Sequence, residues 1–248
     1  MTVYVYFYLV LCDITVQKRL VLQLGKAKPS SAQTRTDTYN ELFSVHTLPA
    51  NLEMSSTRLP PVAPKDLSPA QKSLYDEIQR IIGDKFSTVV SHTAEGALLG
   101  PWNFLIHHPT IGKALVPLTQ ALLVRPGHLS RPVREVAILA VGAHYRAAYE
   151  IYAHTLLATP LLGIDTVAAT LDSRVPPKLD SDALCALEVT RSLLAGGPLP
   201  DPLWDRAVKE LGVEGAQELV FLVGYYCLVS VGLNGFGVQV PSTRSAKL

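Results

Sequence analysis

The sequence predicts an all-α fold, a compact domain of many helices that associates with copies of itself. From Leu67 onward, apolar residues recur at the three- and four-residue spacing of a buried helix face. No alternation of apolar and polar residues between turns competes with that pattern, and helix start and stop signals punctuate the same stretch. Hydrophobic residues make up 48% of the 248 residues and charged ones 17%, under the roughly 25% of an ordinary globular chain. A subunit interface is the simplest home for this apolar excess, so a homo-oligomer is expected.

Residues 1–66 read as a poorly structured extension, because Pro, Ser, Thr and Lys interrupt them and no helical period persists. Met54 stands just ahead of the first globular segment and is the expected natural start. Residues 67–241 form the expected helical domain, and 242–248 a tail. The first helix opens with Ser68, Pro69 and Gln71 at the positions of a capping box, in which the serine and glutamine side chains each satisfy a free backbone N–H. Leu74, Ile78, Ile81 and Ile82 make its buried stripe, and Gly83 its expected stop.

A second helix is expected from about Pro109 to Val124, bent or broken at Pro117, which has no N–H for the helical ladder. Ser130 caps a third, with Val133, Val136, Ala137, Ala140, Val141 and His144 at helical spacing. A fourth covers Ala147 to Ala158 and is expected to end before Pro160. Further helices are expected near 166–172, 181–195, 202–211 and 215–233. Leu219 to Val238 runs 20 residues without a charge, long enough to span a bilayer. Its glycines, Ser230 and Asn234, and the lack of a flanking basic cluster, favour a buried core helix instead.

The net charge of +1 and the absence of a basic stripe argue against nucleic acid as a partner. Cys12, Cys185 and Cys227 are odd in number and far apart, which fits a reducing, cytoplasmic setting rather than a disulfide framework. The opening residues lack the charged start of a signal peptide. There is no Gly-x-Ser-x-Gly elbow, Walker loop, dinucleotide glycine fingerprint or His-Glu-x-x-His. His107, His108 and His144 stand at no diagnostic ligand spacing, so no metal or other cofactor is expected. His107 and His108 fall in an expected loop before Pro109.

The chemistry that remains is a group of polar side chains in apolar helices between Arg131 and His154. Glu135 lies opposite the Val133, Val136 and Ala140 stripe, beside Ile138, Leu139 and Gly142, so its helix is buried on both sides. A carboxyl group there needs a cation or a donor, and Arg131, Arg134 and Arg146 are nearby candidates. A buried Glu–Arg pair that only fixes packing is the competing reading. Glu150 and His154 lie one turn apart on the next helix and can form a hydrogen-bonded acid/base unit. They can equally be a surface pair of little consequence. Trp102, Tyr145, Tyr149 and Tyr152 could line a pocket or simply fill the core.

The run Leu-Ser-Arg-Pro-Val-Arg-Glu-Val-Ala-Ile-Leu-Ala-Val at 129–141, with Ala-Tyr-Glu-Ile-Tyr-Ala-His at 148–154 and Leu-Leu-Gly-Ile at 161–164, resembles the core signature of the carboxymuconolactone decarboxylase superfamily. Gly100-Pro101-Trp102-Asn103 and the terminal Gly224-Tyr225-Tyr226 agree with it, and the similarity covers about residues 67–241. The alkylhydroperoxidase-D-like branch carries a Glu, a Cys twelve residues on, a second Cys three further and a His four beyond. Those positions here are Glu135, Ala147, Glu150 and His154, so the carboxylate and imidazole are kept and both thiols are absent. A disulfide-cycling peroxidase needs the thiols.

The resemblance therefore implies a cofactor-independent, decarboxylase-like lyase in which His154, Glu135 and Glu150 move protons. Arg134 or Arg131, with Trp102, Tyr149 and Tyr145, would hold a carboxylated lactone, enol or polyketide-like substrate, as in specialised-metabolite biosynthesis. An isomerase, dehydratase or cyclase could use the same groups, and a non-catalytic ligand-binding subunit could keep the fold alone. The resemblance also implies a homotrimer or a multiple of it.

Overall fold

A computed structural model describes residues 58–241 except 86, 87 and 126. The expected extension before residue 58, with its Met54 start, and the tail after 241 lie outside the described residues. Among the described residues there are eight α-helices and no strand, only an isolated antiparallel bridge between His92 and Leu98. The helices are α1 (Pro69–Lys85), α2 (Pro101–His107), α3 (Pro109–Thr119), α4 (Arg131–Tyr145), α5 (Ala148–Leu162), α6 (Ile164–Leu171), α7 (Ser181–Ala195) and α8 (Asp201–Gly235).

Side-chain capping sets the starts of α1 and α4. At α1 the Ser68 N–H donates to Gln71 Oε1 at 3.0 Å, and the Gln71 N–H reaches Ser68 Oγ at 3.4 Å. At α4 the Ser130 hydroxyl oxygen accepts from the Val133 N–H at 3.4 Å. Pro117 lies inside α3, and the chain then widens into a π-turn over Gln120–Val124. That turn accommodates the missing N–H without ending the run.

The structure corrects four sequence expectations. Gly83 does not stop α1, which continues to Lys85. Pro160 does not end α5 either: the helix passes through it to Leu162, giving up one ladder bond, and stops at Gly163, whose φ of 78° leaves the helical region. His107 is not in a loop but closes α2, with its Nε2 2.9 Å from the Pro60 carbonyl. Residues 58–66, expected outside the fold, are held against it: the Leu59 carbonyl accepts from Asn103 Nδ2 at 2.7 Å, and the Arg58 N–H donates to the Phe236 carbonyl at 3.1 Å. The two helices expected at 202–211 and 215–233 meet end to end at Gly212, where φ 76° and ψ 167° break the helical path in a conformation open to glycine.

Helix α4 is the centre of the domain, packed on α5, α6, α7 and α8. Val133, Val136, Ile138, Leu139 and Val141 are all but inaccessible, so α4 is buried on every side. Helix α8 is long and apolar enough to cross a membrane, yet half of its apolar window is buried inside the domain, with Leu219, Leu222, Tyr226 and Leu233 in the core. This arrangement places α4, α5 and the second half of α8 side by side.

Candidate active site

Three helices each bring one polar group to the same point in an apolar core. Glu135 comes from α4, His154 from α5 and Tyr226 from α8, and all three are buried. His154 Nδ1 lies 2.8 Å from Glu135 Oε2. An ionised carboxylate only accepts, so Nδ1 carries the proton and donates it. That bond fixes the ring and leaves Nε2 as the working nitrogen. Tyr226 Oη stands 3.2 Å from Nε2, with the two rings edge to face at 5.2 Å. In the neutral imidazole the tyrosine donates this bond.

Glu150, one turn before His154 on α5, approaches Nε2 from another side, with Oε1 at 3.5 Å. At that length the approach is electrostatic and does not satisfy the carboxyl oxygen. Glu150 Oε1 is buried without a hydrogen-bond partner. Burial pushes the Glu150 carboxyl up to about 7, Glu135 adds to the rise, and the imidazole opposes it. Burial alone would depress His154, but the Glu135 carboxylate outweighs it, aided by their hydrogen bond and by Glu150, and the imidazole is raised. Both groups are thus raised, Glu150 by its burial and His154, against its burial, by the Glu135 carboxylate.

A cavity of about 40 Å³ opens beside this cluster, lined among others by Trp102, Leu123, Tyr149, Glu150, His154 and Tyr226. The remaining hydroxyls around it are committed. Thr119 donates to the Leu115 carbonyl at 3.0 Å and so must accept from Tyr225, 2.6 Å away. Tyr149 donates to the Val90 carbonyl at 2.9 Å and pins the segment before α2 over the cavity. Gly100, at φ 63°, makes room for that ring: a Cβ there would sit 2.3 Å from Tyr149.

Of the residues singled out from sequence, the structure brings Glu135, Glu150 and His154 together and sets Trp102 and Tyr149 in the cavity wall. It does not bring Arg131, Arg134 or Tyr145 to the cavity. Arg131 is exposed. Arg134 gives its guanidinium to the Leu122 carbonyl at 3.2 Å, a group left free at the end of the π-turn. Tyr145 interacts with Cys227, and its carbonyl accepts from Asn234. The alternative Glu135–Arg pair is thus replaced by a Glu135–His154 pair. Tyr226, Tyr225 and Thr119 were missed. The available signal was two phenols inside an uncharged helix, each needing a partner once buried.

Cys185 and Cys227 do not line the cavity, and burial raises both thiols above their ordinary value. Among the described residues no three His, Cys, Asp or Glu side chains are arranged to hold a metal ion.

No family model and no curated protein matches the chain. Solved structures do. The fold is similar to that of an alkylhydroperoxidase AhpD core, an uncharacterized peroxidase-related protein from Ralstonia eutropha JMP134, with TM-score 0.60, 16% identity, and coverage of 75% of this chain and 93% of that one. It is also similar to the debrominase Bmp8, in its apo form (TM-score 0.57, 12% identity, 75% and 94% covered). A variant of Bmp8 in complex with 2,3,4-tribromopyrrole gives TM-score 0.56 at 12% identity, with 76% and 94% covered. The chain shares the helical fold of these proteins.

Proposed function

We propose that this AhpD-like chain is a cofactor-independent acid–base enzyme that moves a proton at a carbon next to a carbonyl. The observation that carries the proposal is His154 itself, oriented by Glu135 at 2.8 Å and lining a mostly apolar cavity. His154 Nε2 takes the proton from carbon, and the Glu135 carboxylate stabilises the imidazolium that forms. Glu150, which holds its proton unusually late, or Tyr226 supplies a proton to the carbonyl oxygen of the developing enolate. The reverse sequence protonates carbon and returns the oxygen to a carbonyl.

This step serves a lyase after carbon dioxide has left a carboxylated lactone or enol, and it serves an isomerase, dehydratase or cyclase directly. The position of the arginines favours the second group. Decarboxylation asks for a cation on the leaving carboxylate, and neither Arg131 nor Arg134 lines the cavity. The absence of thiols from positions 147 and 150 argues against disulfide-cycling peroxidase chemistry.

The test is solvent deuterium incorporation into the neutral hydroxy ketones hydroxyacetone and 2-hydroxycyclopentanone, followed by NMR. The chain should speed exchange next to the carbonyl, and His154→Ala should slow it by roughly 10²–10⁴-fold, the contribution of positioned proton transfer, with helicity unchanged. A folded His154→Ala protein with unchanged exchange would end this reading.

We also propose that the protein works as a homotrimer or a multiple of it. On α8 the outward residues Phe221, Leu228 and Val231 are exposed at 68%, 45% and 55% and line up with Gly224 at seven-residue helical spacing. Light scattering should give a mass of about three chains or a multiple, and Phe221→Lys should lower it. A 27 kDa species at micromolar concentration would contradict the proposal.

A further inference from the structure

We infer that the cavity selects a small neutral ligand that presents an O–H or N–H donor to Glu150 Oε1, and that it rejects carboxylates. This inference rests on the acid–base reading above and names the substrate class of the same site.

Most polar side chains around the cavity already have hydrogen-bond partners. Tyr149 is spent on the Val90 carbonyl, and Tyr225 on Thr119, which itself donates to Leu115. Ser91 Oγ pairs with His92 Nδ1 at 3.0 Å. His154 uses one nitrogen on Glu135 and offers the other to Tyr226. Among these described lining groups, the acceptor left over is Glu150 Oε1, on a carboxyl only 3% exposed. A buried acceptor without a donor is costly, and a ligand that brings the donor removes that cost on binding. A ligand whose size fits but which lacks the donor gains only apolar contact with Trp102, Leu123, Leu157 and Val229.

Charge decides the second half. No Arg or Lys is among the residues lining the cavity. Arg134 is sensed by Tyr226, but its guanidinium is bound to the Leu122 carbonyl. The fixed charges at the site come from two carboxyl groups and one imidazole, and the imidazole already belongs to Glu135. A carboxylate ligand would be a further anion in a low-dielectric space with no cation of its own, which repels it and costs its hydration. The raised Glu150 agrees with this picture, since it reports a group whose negative charge is poorly supported.

The experiment uses three five-membered rings of similar shape: pyrrole with its N–H, furan without a donor, and 2-furoate with a carboxylate. Each is titrated at pH 8 into the full chain labelled with ¹⁵N, where Glu150 is largely ionised and can only accept. Pyrrole should saturate with amide shifts gathered at Trp102, Tyr149, Leu157 and Val229. Furan should bind roughly tenfold or more weakly, the expected value of a hydrogen bond to a charged group, and 2-furoate should leave these amides unmoved. Glu150→Met, close in length and free of the orphan acceptor, should abolish the preference of pyrrole over furan.

Equal binding of furan and pyrrole overturns the inference. So does binding of 2-furoate at these residues, or the absence of any cavity shift with pyrrole. If Glu150→Met fails to fold, the comparison of the three rings on the unaltered protein still decides. Binding is read without turnover, so the two proposals fail separately. Normal deuterium exchange in His154→Ala removes the acid–base reading and leaves the ring preferences standing, whereas tight furoate binding removes the ligand class and leaves the exchange result standing.

Discussion

Two hollows among the described residues are opposite in character. One, of about 320 Å³, is bordered by Ala140 and His144 of α4, Thr170 of α6 and Ser173 just after it, and Arg191, Leu194 and Ala195 of α7. It is the larger, and it contains a histidine and an arginine. Yet its His144 is exposed and packs edge-on against Tyr145, and its Arg191 is spent on the Arg174 carbonyl. The other, of about 40 Å³, holds His154 between two carboxyl groups with almost no access to water. Size would choose the first and chemistry chooses the second. In water an imidazole and a neighbouring carboxylate interact weakly, and in a dry core the same pair sets the protonation state.

This contrast is sharpest in catalysis. Glu135→Gln keeps the shape at His154 but removes the charge that holds Nδ1–H and supports the imidazolium. Deuterium exchange should fall at least tenfold, a part of the roughly 10²–10⁴-fold that positioned acid–base catalysis contributes. Arg191→Ala in the larger hollow should leave exchange within twofold. Equal losses in the two variants, both folded by circular dichroism, would erase the distinction between the hollows.

A structural test of the same contrast lies at Gly100. Its φ of 63° disfavours any side chain, and a Cβ would strike the Tyr149 ring at 2.3 Å, so the ring and its bond to Val90 must move. Gly100→Ala should destabilise the domain by about 3 kcal/mol, the upper part of the usual range for point substitutions, measured by urea unfolding. Gly83→Ala on α1, where a Cβ meets nothing within 4 Å, should instead be neutral or slightly stabilising.

What could be read from sequence follows the range of each interaction. Ser68 with Gln71, and Ser130 with Val133, act within one helical turn, and both caps appear where their spacing puts them. Glu150 and His154 are four residues apart, so their shared face was legible too. The partner of Glu135 was not: three arginines lie nearer in sequence, but His154, 19 residues on, takes the carboxylate because α4 packs against α5. Tyr226 is 72 residues from His154, and nothing local marks it as the group that meets Nε2. Arg134 turned away because the π-turn after Pro117 left the Leu122 carbonyl free, a consequence of backbone geometry that no spacing rule contains.

The smallest effect expected is on stability against pH, and its sign separates the two hollows again. Glu150 has an ordinary value of 4.5 when unfolded and is pushed up to about 7 by burial in the folded chain. Between these values the folded state binds the proton more tightly, so stability falls as pH rises from about 4.5 to about 7. His154 is raised above its ordinary 6.5, with burial opposing the rise and Glu135 causing it, so its contribution is present below pH 6.5 and is lost as pH climbs through the folded value. Both groups therefore make the domain less stable at pH 8 than at pH 5.5, by an amount on the order of 1–3 kcal/mol. Glu150→Met removes the first contribution and the share of the second that Glu150 supplies, leaving the larger share due to Glu135. Its unfolding midpoint in urea should depend less steeply on pH than that of the unaltered chain, and should exceed it most clearly above pH 7. Thr170→Val, which changes only a non-titrating side chain at the larger hollow, should reproduce the original pH dependence. If Glu150→Met instead steepens that dependence, or loses stability at pH 8, the carboxyl is better supported in the core than its missing hydrogen bond implies. The chamber then has no unmet need for a ligand to satisfy.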